Sequence, residues 1–436
     1  MRNLKGNKRY LFRGEKIKDV NFVDAKGIYL WDDNGNKYID CSAGTFNLSL
    51  GYKNKEVIEA VKEQCDKIVH LSSSYYNENV CLLAEKLVKI SPNNIKRVHT
   101  KVCSGSTANE GAIKLAQYYT NKKDIISFYR SHVGQTIFMQ NVSGLSERRK
   151  HFNFSQDGII HIHYPYCYRC HLNCHYPECG IKCAEQIYDC IKYGSSGNIA
   201  CMIIEPILGN GGNQIAPKEF LKKIRKICDE YGIVLIFDEI QTGIGRTGKM
   251  FAAQYFDVTP NIITVSKGLG GTGFPVSAIL MEEKFNKMES FLHSFTYGSN
   301  ILNCTAALKT LEIIDNEQFL DNVTKCGEYI LERLKKIEEH FLFVGDTRGI
   351  GLMIGIEIVK DKHTKEPDIE LTHQIVKIAF DEGLLLRSSL YGFGNVIKIR
   401  PALNISIDEC EEMIDKLEKV FKKISCMSKN ISLRGR

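Results

Sequence analysis

No stretch of the chain is apolar for long enough to cross a bilayer. The longest such runs, of which Ile233–Phe237 is typical, fall far short of the roughly 20 residues a spanning helix needs. The N-terminus, MRNLKGNKRYLFRGEK, lacks the apolar core of an export signal, which points to a cytoplasmic protein with no membrane partner. Charge of one sign is also scarce. The formal net charge of +7 over 436 residues is a mild basic excess, part of it in the tail from Lys422 to Arg436, and it gives no footing for a nucleic-acid partner. Internal repeats and low-complexity tracts are missing too. The 43% hydrophobic and 25% charged residues give a globular composition, with length for one large and one smaller domain.

What is present is a recurring alternation. Short apolar runs ending in polar residues or glycine, Ile125–Tyr129, Cys201–Ile204, Ile233–Phe237 and Ile262–Val265, read as buried strands separated by helical patterns. Between two of them, Pro217–Tyr231 puts Phe220, Ile224 and Ile227 on one face and charges opposite, as a surface helix does. This predicts an α/β fold with a mostly parallel central sheet and helices on both faces. After about residue 310 the pattern changes to a long helix, Glu317–His340, and shorter strands at Ile350–Ile358 and Val396–Ile399, suggesting a smaller C-terminal α/β domain. The divisions expected are 1–55 as an N-terminal part of the small domain, 56–308 as the large domain with a cysteine-rich insert at 164–190, and 309–436 as the small domain.

Ligands in open α/β sheets sit beyond the carboxyl ends of the strands. Glu205, the pair Asp238–Glu239, and Lys267 occupy such positions. An acidic strand end also suits a P-loop ATPase, and Gly243–Met250 (GIGRTGKM) approaches that motif, but Met250 stands where a hydroxyl must bind magnesium. Asp238 and Lys267, 29 residues apart, suit another chemistry. A carboxylate can keep a pyridine nitrogen protonated, and a desolvated lysine amine can attack a carbonyl. Either residue alone would read as a solvated strand-end charge.

The run from Phe237 to Pro275, FDEIQTGIGRTGKMFAAQYFDVTPNIITVSKGLGGTGFP, resembles the signature of class III (ω-type) aminotransferases, of pyridoxal 5′-phosphate (PLP) fold type I. The resemblance extends over roughly residues 20–420. It implies a Schiff base between PLP and Lys267, with Asp238 at the pyridine nitrogen. SGSTANEGAIKLA, residues 104–116, is similar to the phosphate loop, implying that Gly105 and Ser106 hold the phosphate; Thr107 stands where the family usually has Glu. In FYRSHVGQT the resemblance puts His132 where an aromatic ring stacks on the cofactor, although a loop histidine can equally be structural. Glu205 begins a Glu-Pro motif near cofactor and substrate. Gln241 takes the position beside the cofactor's phenolic oxygen. FTYGSN implies that Thr296 reaches the phosphate of a partner subunit, hence a homodimer with shared active sites.

Asn210 stands where many family members carry a glutamate that masks a substrate-binding arginine. The implied arginine is Arg400 in VIKIRPALNI, uncommitted and free to pair with a carboxylate, the alternative being an ordinary salt bridge. Phe46, Tyr75, Tyr76 and Tyr391 are candidate pocket-lining residues. The implied activity is transfer of an amino group from an amino-acid donor to a 2-oxo acid acceptor by a ping-pong mechanism. Two alternatives stand beside it: a racemase or epimerase of the same family, and a metal-binding interaction protein built on a cysteine cluster.

That cluster is PYCYRCHLNCHYPECGIKC, with Cys167, Cys170, Cys174, Cys179 and Cys183 and two interleaved histidines. Its spacing matches no standard zinc module. A structural metal, thiols packed as small hydrophobes, and disulfides all remain open.

Overall fold

The computed structural model describes residues 10–12, 18–72, 74–152, 156–389 and 394–434. Its centre is a seven-stranded sheet in the order Ile95–His99, Ala278–Glu282, Ile262–Val265, Val234–Asp238, Ile199–Ile204, Asp124–Phe128, Ile159–Ile162. The last five strands pair in parallel; Ala278–Glu282 runs antiparallel to both of its neighbours. Strands Ile199–Ile204 and Val234–Asp238 are buried along their whole length, as sheets covered on both faces require. Among the described residues, no helix is long and apolar enough to cross a membrane.

The crossover helix Lys218–Tyr231 follows Pro217 and stops at Gly232, whose φ of 62° is the left-handed conformation that ends helices. Its Phe220, Leu221, Ile224, Ile227 and Cys228 are buried.

The C-terminal part forms a four-stranded antiparallel sheet, Val344–Ile350, Met353–Ile358, Val396–Ile399 and Arg387–Ser388, backed by helices Glu317–His340 and Ile369–Asp381, with Ile407–Arg434 packed against both helices. The single strand expected over Ile350–Ile358 is instead the close of one strand and the whole of the next. The turn falls at Gly351 (φ 53°), where a Cβ would stand 2.6 Å from the Arg246 carbonyl oxygen. The N-terminal strands Phe22–Lys26, Tyr29–Asp32 and Lys37–Asp40 share a sheet with Leu384–Leu385, so the two ends of the chain are joined.

Candidate active site

Glu205, Asp238 and Lys267 each follow or end a parallel strand of the large sheet, and together they line a cavity of about 200 Å³ with Gly105, Ser106 and His132. The alternation of side chains separates Asp238 from Glu239. Asp238 faces the cavity. Glu239 turns away and accepts the N–H groups of Ala252 (2.6 Å) and Ala253 (2.8 Å), starting the short Ala252–Phe256 helix.

Asp238 is held from two sides. Ile240 N–H donates to one oxygen (3.0 Å) and the Asn109 amide to the other (2.7 Å), while Thr264 donates to Asn109 Oδ1 (2.5 Å). Burial raises the Asp238 carboxyl above the usual range, and these donors and Lys267 pull it back. Glu205 accepts from the backbone N–H of His132 (2.8 Å) and Gly209 (2.9 Å). Burial and the nearby Asp238 nevertheless push Glu205 up to about 7. Lys267, at φ 42°, has its amine brought down to about 8 by burial, against the opposing pull of Asp238 and Glu205. A substantial fraction of neutral amine at physiological pH follows.

Ser104 caps the helix Gly105–Thr120. Its Oγ accepts from Thr107 N–H (3.2 Å), and Thr107 Oγ1 accepts from Ser104 N–H (3.0 Å), so a threonine performs the reciprocal part of a capping box usually given to Glu or Gln. First-turn N–H groups have no intrahelical acceptor. Those of Gly105 and Ser106 belong to residues on the cavity wall, at the positive end of the helix dipole. A Cβ on Gly105 would lie 2.7 Å from Ile240 Cδ1, so any larger residue there would have to push the Ile240 side chain aside. Burial, with Arg148, Lys267 and Lys398 adding to it, brings the His132 imidazole down to about 3, so the ring is neutral.

Arg400 is almost fully buried; both terminal nitrogens of its guanidinium are engaged, while Nε has no hydrogen-bond partner among the described residues. The guanidinium lies over the Phe46 ring, 3.9 Å from the centroid, and donates to Gln241 Oε1, to the Gly209 carbonyl (2.7 Å) and to Asn213 Oδ1. The uncommitted arginine expected from Asn210 is therefore not what the fold provides: backbone and amide oxygens replace the missing glutamate. Because Arg400 only donates, it fixes the Gln241 amide with Oε1 towards itself and Nε2 as the donor left over. Lys398, two residues earlier on the same strand face, shares the Phe46 ring at 5.3 Å. Burial and the neighbouring Arg400, Arg387 and Lys267 hold its amine well below the usual lysine value.

Thr296 is exposed and lies outside this cavity, as do the exposed Tyr75 and Tyr76. Tyr391 lies outside the described residues. Sequence reasoning missed Asn109, for which a buried polar residue among Ala108, Ala112 and Ile113 was the available signal. Lys398, like Arg400, is not among the residues that line the cavity.

In the cysteine-rich segment all the thiols are free. Cys167, Cys170, Cys174, Cys179 and Cys183 line a separate cavity of only about 20 Å³. Cys174 donates to the Leu172 carbonyl (3.3 Å), and burial raises the Cys183 thiol to about 12. Among the described residues, no three His, Cys, Asp or Glu side chains are arranged to hold a metal ion.

A paired carboxylate, a lysine of lowered basicity and an anion-receiving helix end thus surround one cavity. Over residues 12–421 the sequence matches the family described as Aminotransferase class-III. The chain belongs to this family. A leucine/methionine racemase from Thermococcus litoralis is 36% identical, the match covering 92% of this chain and 90% of the relative. An acetylornithine aminotransferase from Methanothermobacter thermautotrophicus is 35% identical over 96% of this chain and 97% of its own. An amine transaminase from an uncultivated Pseudomonas species, solved in its PLP-bound form, superposes with a TM-score of 0.88 at 28% identity, covering 94% of this chain and 96% of that one. The class-III chain thus has the PLP fold type I architecture, and its cavity fits PLP. The Gly105–Ser106 helix end suits a phosphate, the buried Asp238 suits a ring nitrogen, and Lys267 stands on the same wall.

Proposed function

We propose that the protein is a PLP-dependent aminotransferase that moves the amino group of an amino acid to a 2-oxo acid. The observation that carries this reading is Lys267, an amine brought down to about 8 in a cavity it shares with the buried Asp238. When bound, PLP supplies an electron sink for the charge left at the substrate Cα. In that role Gly105 and Ser106 would hold the phosphate, His132 would stack on the ring, Asp238 would keep the ring nitrogen protonated, Gln241 would donate from Nε2 to the phenolic oxygen, and Lys267 would hold the cofactor covalently. Freed by the donor, the Lys267 amine would serve as base for the substrate Cα proton and then as the acid that gives it back.

Asn210, in place of a carboxylate, has no proton to exchange and adds no second acid–base group at that point.

A second reading, amino-acid racemase or epimerase, is favoured by the likeness to the Thermococcus racemase. One experiment separates the two. The PLP-loaded protein is mixed with single L-amino acids without any oxo acid, and the cofactor's visible absorption is followed together with optical rotation. Transamination bleaches the visible band with one equivalent of oxo acid formed, and Lys267→Ala abolishes the change. A band that persists while optical rotation decays to zero establishes racemisation instead.

A further inference from the structure

Behind Arg400 lies a second buried charge network that none of the roles above uses. Glu357, on the Met353–Ile358 strand, is fully buried. Its carboxylate accepts from Tyr166 Oη (2.6 Å), Asn395 Nδ2 (2.8 Å) and Arg169 Nη1, and pairs with Arg348 Nη1 (2.8 Å). Burial acts to raise this carboxyl, but Arg348 and Arg169 hold it below the usual range, so it is anionic at neutral pH. Tyr166 and Arg169 come from the start of the cysteine-rich segment, whereas Arg348 and Glu357 belong to the C-terminal sheet. The segment is anchored there a second time: Arg169 Nε donates to the Lys365 carbonyl (2.7 Å) and Lys365 Nζ to the Tyr168 carbonyl (2.9 Å).

The far side of Arg348 points towards the active site. Its Nε donates to the Asn213 carbonyl (3.1 Å) and its Nη2 to the Gly212 carbonyl (2.7 Å). Asn213 is fully buried in a left-handed conformation (φ 51°) and is tied to the C-terminal sheet by its own amide, which donates to the Ile354 carbonyl (2.7 Å). Its remaining side-chain oxygen is the one that takes Arg400 Nη2. An unbroken line of hydrogen bonds and ion pairs therefore runs from Tyr166 through Glu357, Arg348, Asn213 and Arg400 to Gln241.

We propose that Tyr166, Glu357 and Arg348 are positioning residues, a relay by which the cysteine-rich segment sets the Arg400 guanidinium and, through it, the orientation of the Gln241 amide towards the cofactor. The relay rests on the reading above that Gln241 faces the cofactor's phenolic oxygen. Each link has a direction. Arg348 only donates and the carboxylates only accept, so the guanidinium faces Glu357 and Asp346 (2.6 Å) on one side and the Gly212–Asn213 carbonyls on the other. Those contacts hold the Asn213 backbone in a conformation that non-glycine residues seldom take, and so keep Oδ1 aimed at Arg400. Arg400 then leaves Gln241 one orientation, with Nε2–H outward. Such a donor favours the anionic form of a phenolic oxygen. Loosening any link frees the amide to turn, and the bound cofactor then holds its proton to higher pH.

The test uses the holoenzyme and reads the pH midpoint of the cofactor's visible absorption, together with kcat and KM for a carboxylate-bearing amino donor. Glu357→Gln keeps the shape and removes the charge; Tyr166→Phe removes one hydroxyl and serves if the first variant fails to fold. The relay requires both to raise the midpoint, by about half a unit or more. It also requires kcat to fall roughly threefold to twentyfold, with KM for the donor little changed and the protein still saturated with PLP. Gln241→Leu must raise the midpoint as well, and Glu357→Gln must add little in that background. If Gln241→Leu moves the midpoint while Glu357→Gln and Tyr166→Phe only lower the melting temperature, the relay is overturned and Gln241 keeps its role. If Gln241→Leu leaves the midpoint unmoved, the placement of Gln241 at the cofactor falls, and the relay with it.

Discussion

Lys267 sits under opposed electrostatic loads, and their signs can be read separately. Asp238 and Glu205 favour the ammonium and raise its pKa, whereas burial and Arg400 favour the neutral amine and lower it to about 8. An amine that must be neutral to attack a carbonyl gives a rate that rises with pH through its pKa. In the cofactor-free protein, the rate at which PLP condenses with Lys267 is expected to climb through a limb near 8. Glu205→Gln removes a carboxylate that favours the ammonium and shifts that limb down; Arg400→Leu removes a cation that disfavours it and shifts the limb up, each by about half to one unit. His132 adds no limb in this range, because its imidazole titrates near 3. A pH profile that responds to neither substitution would assign the limb to another group.

The helix Gly105–Thr120 joins element stability to cofactor binding, because the same N-terminal turn is capped by Ser104 and offers N–H groups to the phosphate. Ser104→Ala removes the acceptor for Thr107 N–H at a cost of about 1 kcal/mol. The expected result is a lower melting temperature without PLP and a smaller rise when PLP is added, since a frayed turn binds the phosphate less tightly. Differential scanning with and without cofactor reads both; an unchanged PLP-dependent rise would show that the turn holds its shape without the cap. The elements most legible in the sequence were those with one dominant local signal. Ile262–Val265, Val396–Ile399 and Glu317–His340 have the bounds that periodicity indicated. The hairpin at Gly351 reads as one strand because the mostly apolar run Ile350–Ile358 continues across the turn, while the rest of the first arm, VGDTRG, is too polar to announce a strand of its own. At the site, Asp238, Glu205 and Lys267 were legible as polar residues at the ends of apolar strands. The partners of Arg400 were not, because Gln241, Gly209 and Asn213 meet it only when the C-terminal sheet closes on the large one, a contact that no local pattern encodes.

At the scale of the whole molecule, the exposed position of Thr296 is informative because of its neighbours. Phe291 is 75% exposed and Tyr297 68%, large apolar side chains that a monomer has reason to cover. A second copy of the chain covering this region would carry Thr296 to the phosphate end of the other copy's cavity, as the class III resemblance implies. The arrangement makes a prediction that composition and stability cannot imitate. Thr296→Asp puts a negative charge against the phosphate and is expected to be inactive, as is Lys267→Ala. Mixed, unfolded and refolded together, the two inactive variants form some hybrid dimers. In a hybrid, one site takes Lys267 from the first chain and Thr296 from the second, both intact, while the other site has lost both. Random pairing makes half the dimers hybrid, so activity should return to about a quarter of wild type. If each cavity instead used its own chain's Thr296, no combination would hold an intact site and the mixture would stay inactive.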